Sequence, residues 1–250
     1  MVTFSELSFE DLVDCLQRER IKPGHARGLW QWYYRSRKAD PIISKETRTD
    51  NEDRFSGVFD FSSPLQVEKV LTSRDESRKL LLRTRDDQFI ETVFIPQGKR
   101  RTLCLSSQLG CPWGCRFCAT GSMGFKRNLS AGEMVSQMMV AQRELGEQIT
   151  NLVFMGMGEP LSNIGNLRTA LSILSHPSGL ALPPRRITVS TIGILESIEK
   201  IISEKWKFPL AVSLHHHDQG KREELMPATR GHSLRELTAL LERYTRVLKR

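Results

Sequence analysis

The sequence predicts an α/β fold, and three observations carry that prediction. From Thr102 onward, short apolar runs alternate with segments of helical period, a rhythm that implies parallel strands joined by right-handed helical crossovers. Before them, residues 65–95 hold three β-patterned runs separated by polar turns. Ahead of these, two amphipathic helices form a small module of their own. At 250 residues the chain is long enough for one sizeable core, or a large domain with a small one in front.

Ser8 is a plausible N-cap for the first helix, whose apolar face is Phe9, Leu12, Val13 and Leu16 at i, i+3, i+4 and i+7. A second helix follows Pro23, with Ala26, Leu29, Trp30 and Tyr33 on one face. Trp30, Trp32, Tyr33 and Tyr34 beside Arg35, Arg37 and Lys38 either stack on bases or form the module's core, and helical spacing favours the core. Residues 40–64 read as a polar linker with a short helix. The strands Leu65–Leu71, Lys79–Thr84 and Phe89–Ile95 come next. Period-two alternation sets Glu91 on the face of Phe89, Val93 and Ile95. A carboxylate there pairs with a base, becomes a proton acceptor through desolvation, or simply faces solvent at an edge.

Thr102–Ser106 is the first strand of the alternating region. Ser130 and Glu133 form a capping box, stapled by Leu129 and Met134, for a helix reaching Leu145. The spacing then predicts strands over Ile149–Met155, Arg186–Ser190 and Leu210–Leu214, and helices over Asn163–Leu174, Ile194–Ile202 and Ser233–Leu248.

Between the first strand and its helix sits the most specific feature of the chain. Cys111, Cys115 and Cys118 follow a Cys-x3-Cys-x2-Cys spacing, flanked by Gly110, Gly114 and Gly121. With five cysteines in the chain, a given three-cysteine spacing arises by chance roughly 0.002 times per sequence of this length. Three thiolates on a short loop suit an iron–sulfur cluster, which takes four ligands; no fourth cysteine lies nearby or downstream, so one iron would stay open for a small molecule. Structural zinc would need a distant histidine to close its tetrahedron.

The formal net charge is +8, and residues 99–130 carry Lys99, Arg100, Arg101, Arg116, Lys126 and Arg127 with no acid among them. That suits a polyanionic partner, nucleic acid first, although basic residues also simply solubilise a surface. No run approaches a membrane span, the N-terminus lacks the features of a secretory signal, and the clustered cysteines argue against a disulfide framework. The chain reads as cytoplasmic, with no membrane partner.

Parallel strand and helix units gather their functional loops at the carboxyl ends of the strands. Four segments land there: the cysteine loop, Gly156-Met157-Gly158-Glu159, Ser190-Thr191 and Ser213-Leu214-His215. Gly156 and Gly158 would let backbone approach a ligand, and Glu159 could hold an ammonium or hydroxyl group. His215, His216 and His217 point to opposite faces of an extended chain, which disfavours joint metal ligation.

With Gly156-Met157-Gly158-Glu159-Pro160-Leu161 after the three cysteines, the chain resembles the radical S-adenosylmethionine (SAM) superfamily. Glu91-Thr92-Val93, Thr102 to Gln108, Gly124 to Leu129, Arg186 to Thr191 and Ser213-Leu214-His215 narrow the resemblance to the RNA adenine methyltransferases of the RlmN and Cfr group, over essentially the whole chain. The resemblance implies a partial radical-SAM (βα) barrel over 99–250, a small β segment packing on it over 65–98, and an N-terminal helical accessory module with linker over 1–64. It implies a [4Fe-4S] cluster on Cys111, Cys115 and Cys118, with SAM on the open iron and contacted by Gly158, Glu159, Ser190, Ser213, Leu214 and His215. In that family a methylated C-terminal cysteine supplies a carbon radical that adds to adenine. Glu91 matches the carboxylate that takes the proton, and Cys104 matches a cysteine that aids product release. Ribosomal RNA first, and transfer RNA second, would be the substrate, with an electron donor such as flavodoxin. Pro160 looks more like the enzymes acting on carbon 2 than on carbon 8.

The chain also departs from the family. No cysteine follows Cys118, so the methyl carrier is missing, and residues 215–220 differ from the usual His-Ala-Pro-Asn-Asp pattern. The resemblance therefore implies an incomplete copy of a longer protein, unstable or oligomeric by itself and inactive in methyl transfer. The alternatives are a short form that binds cluster, SAM and RNA without transferring methyl, and a radical SAM protein with another substrate.

Overall fold

The computed structural model describes residues 1–36 and 55–248. The strands are β1 (Val2–Thr3), β2 (Phe59–Asp60), β3 (Leu65–Thr72), β4 (Arg78–Thr84), β5 (Phe89–Gln97), β6 (Arg100–Cys104), β7 (Gln108–Gly110), β8 (Phe125–Asn128), β9 (Asn151–Phe154), β10 (Ile187–Thr191) and β11 (Leu210–Val212). The helices are α1 (Phe9–Arg18), α2 (His25–Gln31), α3 (Ala119–Ser122), α4 (Ala131–Leu145), α5 (Ile164–Ser175), α6 (Leu195–Ser203), α7 (Gln219–Leu225) and α8 (Leu234–Leu248). The linker helix predicted within 40–64 lies, for residues 40–54, outside the described residues.

One seven-stranded sheet runs β11-β10-β9-β6-β5-β4-β3. β6, β9, β10 and β11 pair in parallel, as their helical crossovers require, while β3 to β6 form an antiparallel meander. Residues 65–98 therefore continue the main sheet through the β5–β6 ladder, edge to edge. Among the described residues the sheet is open, with β3 and β11 as its outer strands.

Alternation decides what each face does. Leu80, Leu82, Ile90, Phe94, Leu103, Leu152, Phe154, Ile187 and Val189 are buried in a core shared with α4 and α5, each stabilising the fold by roughly 1.5–3 kcal/mol. The opposite face is half-buried and carries Lys79, Leu81, Glu91, Val93, Thr102, Cys104, Val153, Thr188 and Ser190. A sheet with one covered face and one polar, accessible face leaves the second for a ligand.

The helix termini follow the sequence closely. Ser8 caps α1 and Ser130 caps α4, each through a reciprocal box with the residue three along, Asp11 and Glu133. Leu129 and Met134 are fully buried beside the second box, as a staple requires. The N-terminal module docks here: the Glu6 carboxylate accepts from the Gly132 N–H at 2.8 Å and from the Ser130 hydroxyl, placing an anion at the α4 N-terminus. Phe9 stacks on His176, and Arg35 Nε donates to the Gly179 carbonyl at 2.7 Å. Trp30, Tyr33 and Tyr34 are buried among Phe4, Phe59 and Phe61, so these aromatics build the module's core.

Candidate functional site

The cysteine loop is the tip of a hairpin formed by β7 and β8. Gly110 closes its neck at φ +73°, where an added Cβ would lie 1.7 Å from the Gly124 carbonyl oxygen, so no other residue fits. The Cys111 N–H donates to that same oxygen at 3.0 Å, and the Cys118 N–H donates to the Cys115 carbonyl at 3.0 Å. The hairpin is braced on one side by Arg127, which pairs with Asp86 in the β4–β5 turn and with the buried Glu133 of the capping box. The Arg127 hydrogen bonds hold Asp86 well below the usual carboxylate range. On the other side, Trp113 Nε1 donates to Ser162 Oγ at 2.8 Å and the Arg116 N–H donates to the Leu225 carbonyl at 2.9 Å.

Three buried amides hold the chain that feeds this hairpin. Gln137 accepts from the Ser106 N–H and donates to the Ser106 carbonyl, both at 2.8 Å. Asn163 donates to the carbonyls of Ser107 and Leu129, and Gln108 accepts from the Glu159 N–H while donating to Asn128. A fully satisfied buried network of this kind fixes one geometry. Sequence reasoning missed Gln137 and Asn163, which lie on helices and carry no local signal of their distant partners.

All five cysteines are free thiols, and Cys111, Cys115 and Cys118 are half-buried. Burial raises Cys111 above its ordinary value, and it pushes Cys115 up to about 11, with the charges of Cys111 and Cys118 adding to the effect. Cys111 and Cys115 thus resist ionising without a cation. A bound metal reverses that preference, because coordination removes the proton. Among the described residues no group of three or more His, Cys, Asp or Glu side chains is arranged to hold a single metal ion. A donor set of three clustered thiols without a fourth fits an iron–sulfur cluster, which takes each sulfur on a separate iron.

The other strand ends meet this loop. Glu159 is 3 % exposed, and its carboxylate accepts from the Leu161 N–H at 3.0 Å and the Ile192 N–H at 2.8 Å. Burial pushes it up to about 7 despite these donors and the Thr191 hydroxyl. With most of its lone pairs occupied, the side chain ties the β9 end to the β10 end. Gly156 and Gly158 likewise give room to the protein itself: an added Cβ would meet the Leu105 carbonyl at 2.8 Å and Gln108 Cβ at 2.5 Å. Ser190 Oγ donates to the Phe154 carbonyl, and the Ser213 N–H donates to the Thr191 carbonyl at 2.8 Å. His215, at φ +56°, sets its ring 4.0 Å from that of Phe117 in the cysteine loop, while His216 and His217 stack on each other. Leu214 is exposed.

Glu91 and Cys104 share the open sheet face. Cys104 is paired with Val93, two residues from Glu91 on β5. Glu91 has found a base: Lys79 Nζ lies 2.8 Å from Oε1, with both side chains close to half exposed. Burial raises the Cys104 thiol, opposed by the Met155 N–H. Of the basic residues of 99–130, Arg101 and Arg127 are spent on Glu147, Asp86 and Glu133, whereas Lys99 and Arg100 at the β5–β6 turn and Arg116 and Lys126 on the cysteine hairpin are exposed.

The model of the radical SAM superfamily matches residues 105–250. A probable dual-specificity RNA methyltransferase RlmN of Chloroherpeton thalassium is 39 % identical over 254 residues, covering 97 % of this chain and 69 % of that protein. The chain belongs to the radical SAM superfamily, within its RlmN-type members. The dual-specificity RNA methyltransferase RlmN of Solidesulfovibrio magneticus is 38 % identical to this radical SAM chain over 249 residues, covering 98 % of it and 70 % of the relative. A radical SAM methyltransferase from Sphaerobacter thermophilus superposes with a TM-score of 0.87 at 36 % identity, covering all of this chain and 74 % of that one. Against the Aquifex aeolicus relative the match covers 65 %, so the chain spans about two thirds of the length of the curated relatives it matches.

Proposed function

We propose that this chain forms the cluster-binding, SAM-binding and proton-accepting part of an RNA adenine methyltransferase acting at carbon 2. The observation that supports the reading is the braced hairpin that presents the half-buried Cys111, Cys115 and Cys118 beside the strand ends, with Phe117 against His215 and Trp113 on Ser162. Cys111, Cys115 and Cys118 would hold a [4Fe-4S] cluster. When bound, the cluster supplies the electron that splits SAM and so generates a carbon-centred radical. Gly158, Glu159, Ser190, Ser213, Leu214 and His215 would form the SAM site, with the Glu159 carboxylate shaping it by fixing residues 159–161 against 191–192.

On the open face, Glu91 would accept the proton lost from the adenine carbon. Lys79 Nζ, 2.8 Å from its Oε1, would hold the carboxylate in place on that face. Cys104, whose thiol burial makes harder to ionise, would serve product release. Exposed Arg116 and Lys126 on the cysteine hairpin, with exposed Lys99 and Arg100 at the β5–β6 turn, favour an RNA backbone, ribosomal RNA first and transfer RNA second. A flavodoxin-like carrier would deliver electrons in the cytoplasm.

The second reading is that this length of chain binds cluster, SAM and RNA without transferring methyl. One experiment tests both. The chain is reconstituted anaerobically with iron and sulfide, then assayed for SAM cleavage, RNA binding and methyladenine. The cluster reading expects iron uptake and SAM cleavage, both lost when Cys111, Cys115 and Cys118 are changed to Ala. Methylated adenine formed over many turnovers would sink the second reading. Retained iron and an intact SAM-induced spectral change in the triple variant would sink the first.

A further inference from the structure

Arg222, on α7, is fully buried. Its Nη2 donates to the Ile192 carbonyl, but Nε and Nη1 are buried with no hydrogen-bond partner. A buried guanidinium with idle donors is costly, and it persists in a fold where something else uses it. Its place narrows what that is. α7 is tied to the cysteine loop by the 2.9 Å bond from the Arg116 N–H, next to Cys115, to the carbonyl of Leu225, three residues along the helix from Arg222. Asp218 caps α7 through the Lys221 N–H at 2.9 Å, and the positive-φ turn at Gly193 leaves the space beside Nη2 free of a side chain. The guanidinium thus lies within one helical turn of the residue that bonds the cysteine loop.

Resting on the cluster reading above, we propose that Arg222 hydrogen-bonds the iron–sulfur cluster at its Cys115 corner and, through its charge, raises the cluster's reduction potential. Three thiolates on a [4Fe-4S] core make an anion, and one-electron reduction makes it more negative. A fixed cation therefore stabilises the reduced form more than the oxidised one, and hydrogen bonds to the sulfurs act in the same direction. Arg222 is a positioning and tuning residue, apart from the groups that touch RNA.

The test compares wild type with Arg222→Gln and Arg222→Lys after anaerobic reconstitution, measuring iron and sulfide content and then the midpoint potential by dye-mediated electron paramagnetic resonance titration without SAM. The Gln variant should load iron yet show at least a tenfold lower ratio of reduced to oxidised cluster at a fixed potential, about 59 mV for one electron. The Lys variant should recover most of that loss. A Gln variant with the wild-type potential overturns the proposal; if it also loses the SAM-induced spectral change, Arg222 serves the SAM carboxylate instead. Wild type that takes up no iron sinks the cluster reading itself. Should both variants misfold by circular dichroism, 15N-arginine is introduced into an Arg116→Lys chain that retains Arg222. A 15N coupling to the reduced cluster in electron–nuclear double resonance upholds the contact, and its absence overturns it.

Discussion

Glu159 makes the fold sensitive to pH in a range where few carboxyl groups act. Burial moves it from an ordinary 4.5 to about 7. A carboxyl with a raised value in the fold stabilises that fold while protonated: the contribution is full below pH 4.5 and is lost as pH rises through 7. Between pH 6 and pH 8 the loss amounts to about 1 kcal/mol, or about 3 °C in melting temperature for a chain of this size. Histidines contribute to the same range; burial lowers His176, which makes the fold more stable as pH rises, the opposite sign. The discriminating measurement is therefore a difference, with thermal melts of the metal-free chain at pH 6, 7 and 8 run beside Glu159→Gln. The variant is less stable at every pH, because an amide nitrogen cannot accept from the Leu161 or Ile192 N–H. The gap between the two proteins should narrow by about 1 kcal/mol from pH 6 to pH 8. A gap that stays constant would refute the assignment of this titration to Glu159.

Gly110→Ala should destabilise the chain by about 3 kcal/mol, through positive φ and collision with the Gly124 carbonyl, and should abolish iron uptake while helical circular dichroism is retained. Arg127→Met leaves the Glu133 carboxylate, whose side chain is 8 % exposed, without its cation; urea unfolding should register a loss of about 2 kcal/mol, less than a wholly buried pair because Arg127 is 34 % exposed. Lys79→Met breaks an ion pair of similar length in a more exposed setting, so stability should change by no more than about 0.5 kcal/mol. Equal losses for the Arg127 and Lys79 variants would contradict the weight given to burial.

Local signals in the sequence determined the elements that are stabilised locally. The Ser130–Glu133 box, the staple of Leu129 and Met134, and the alternation along Phe89–Ile95 each lie within a few residues, and the corresponding helix and strands form where the pattern puts them. The three-cysteine spacing was equally legible, since one loop contains it. The β7–β8 hairpin and α7 were not: the strands are three and four residues long, and Gln-Gly-Lys-Arg-Glu-Glu-Leu has no apolar period. Only the tertiary structure brought Gln137 to Ser106, Asp86 to Arg127 and Leu225 of α7 to Arg116 of the cysteine loop. It also packed Gly156 and Gly158 closely against Leu105 and Gln108, and buried and bonded Glu159. The physical reason is the same in each case. Capping, period and ligand spacing are fixed by bonds along the chain, whereas burial of charge and the pairing of distant polar groups are set by packing that no short stretch of sequence contains.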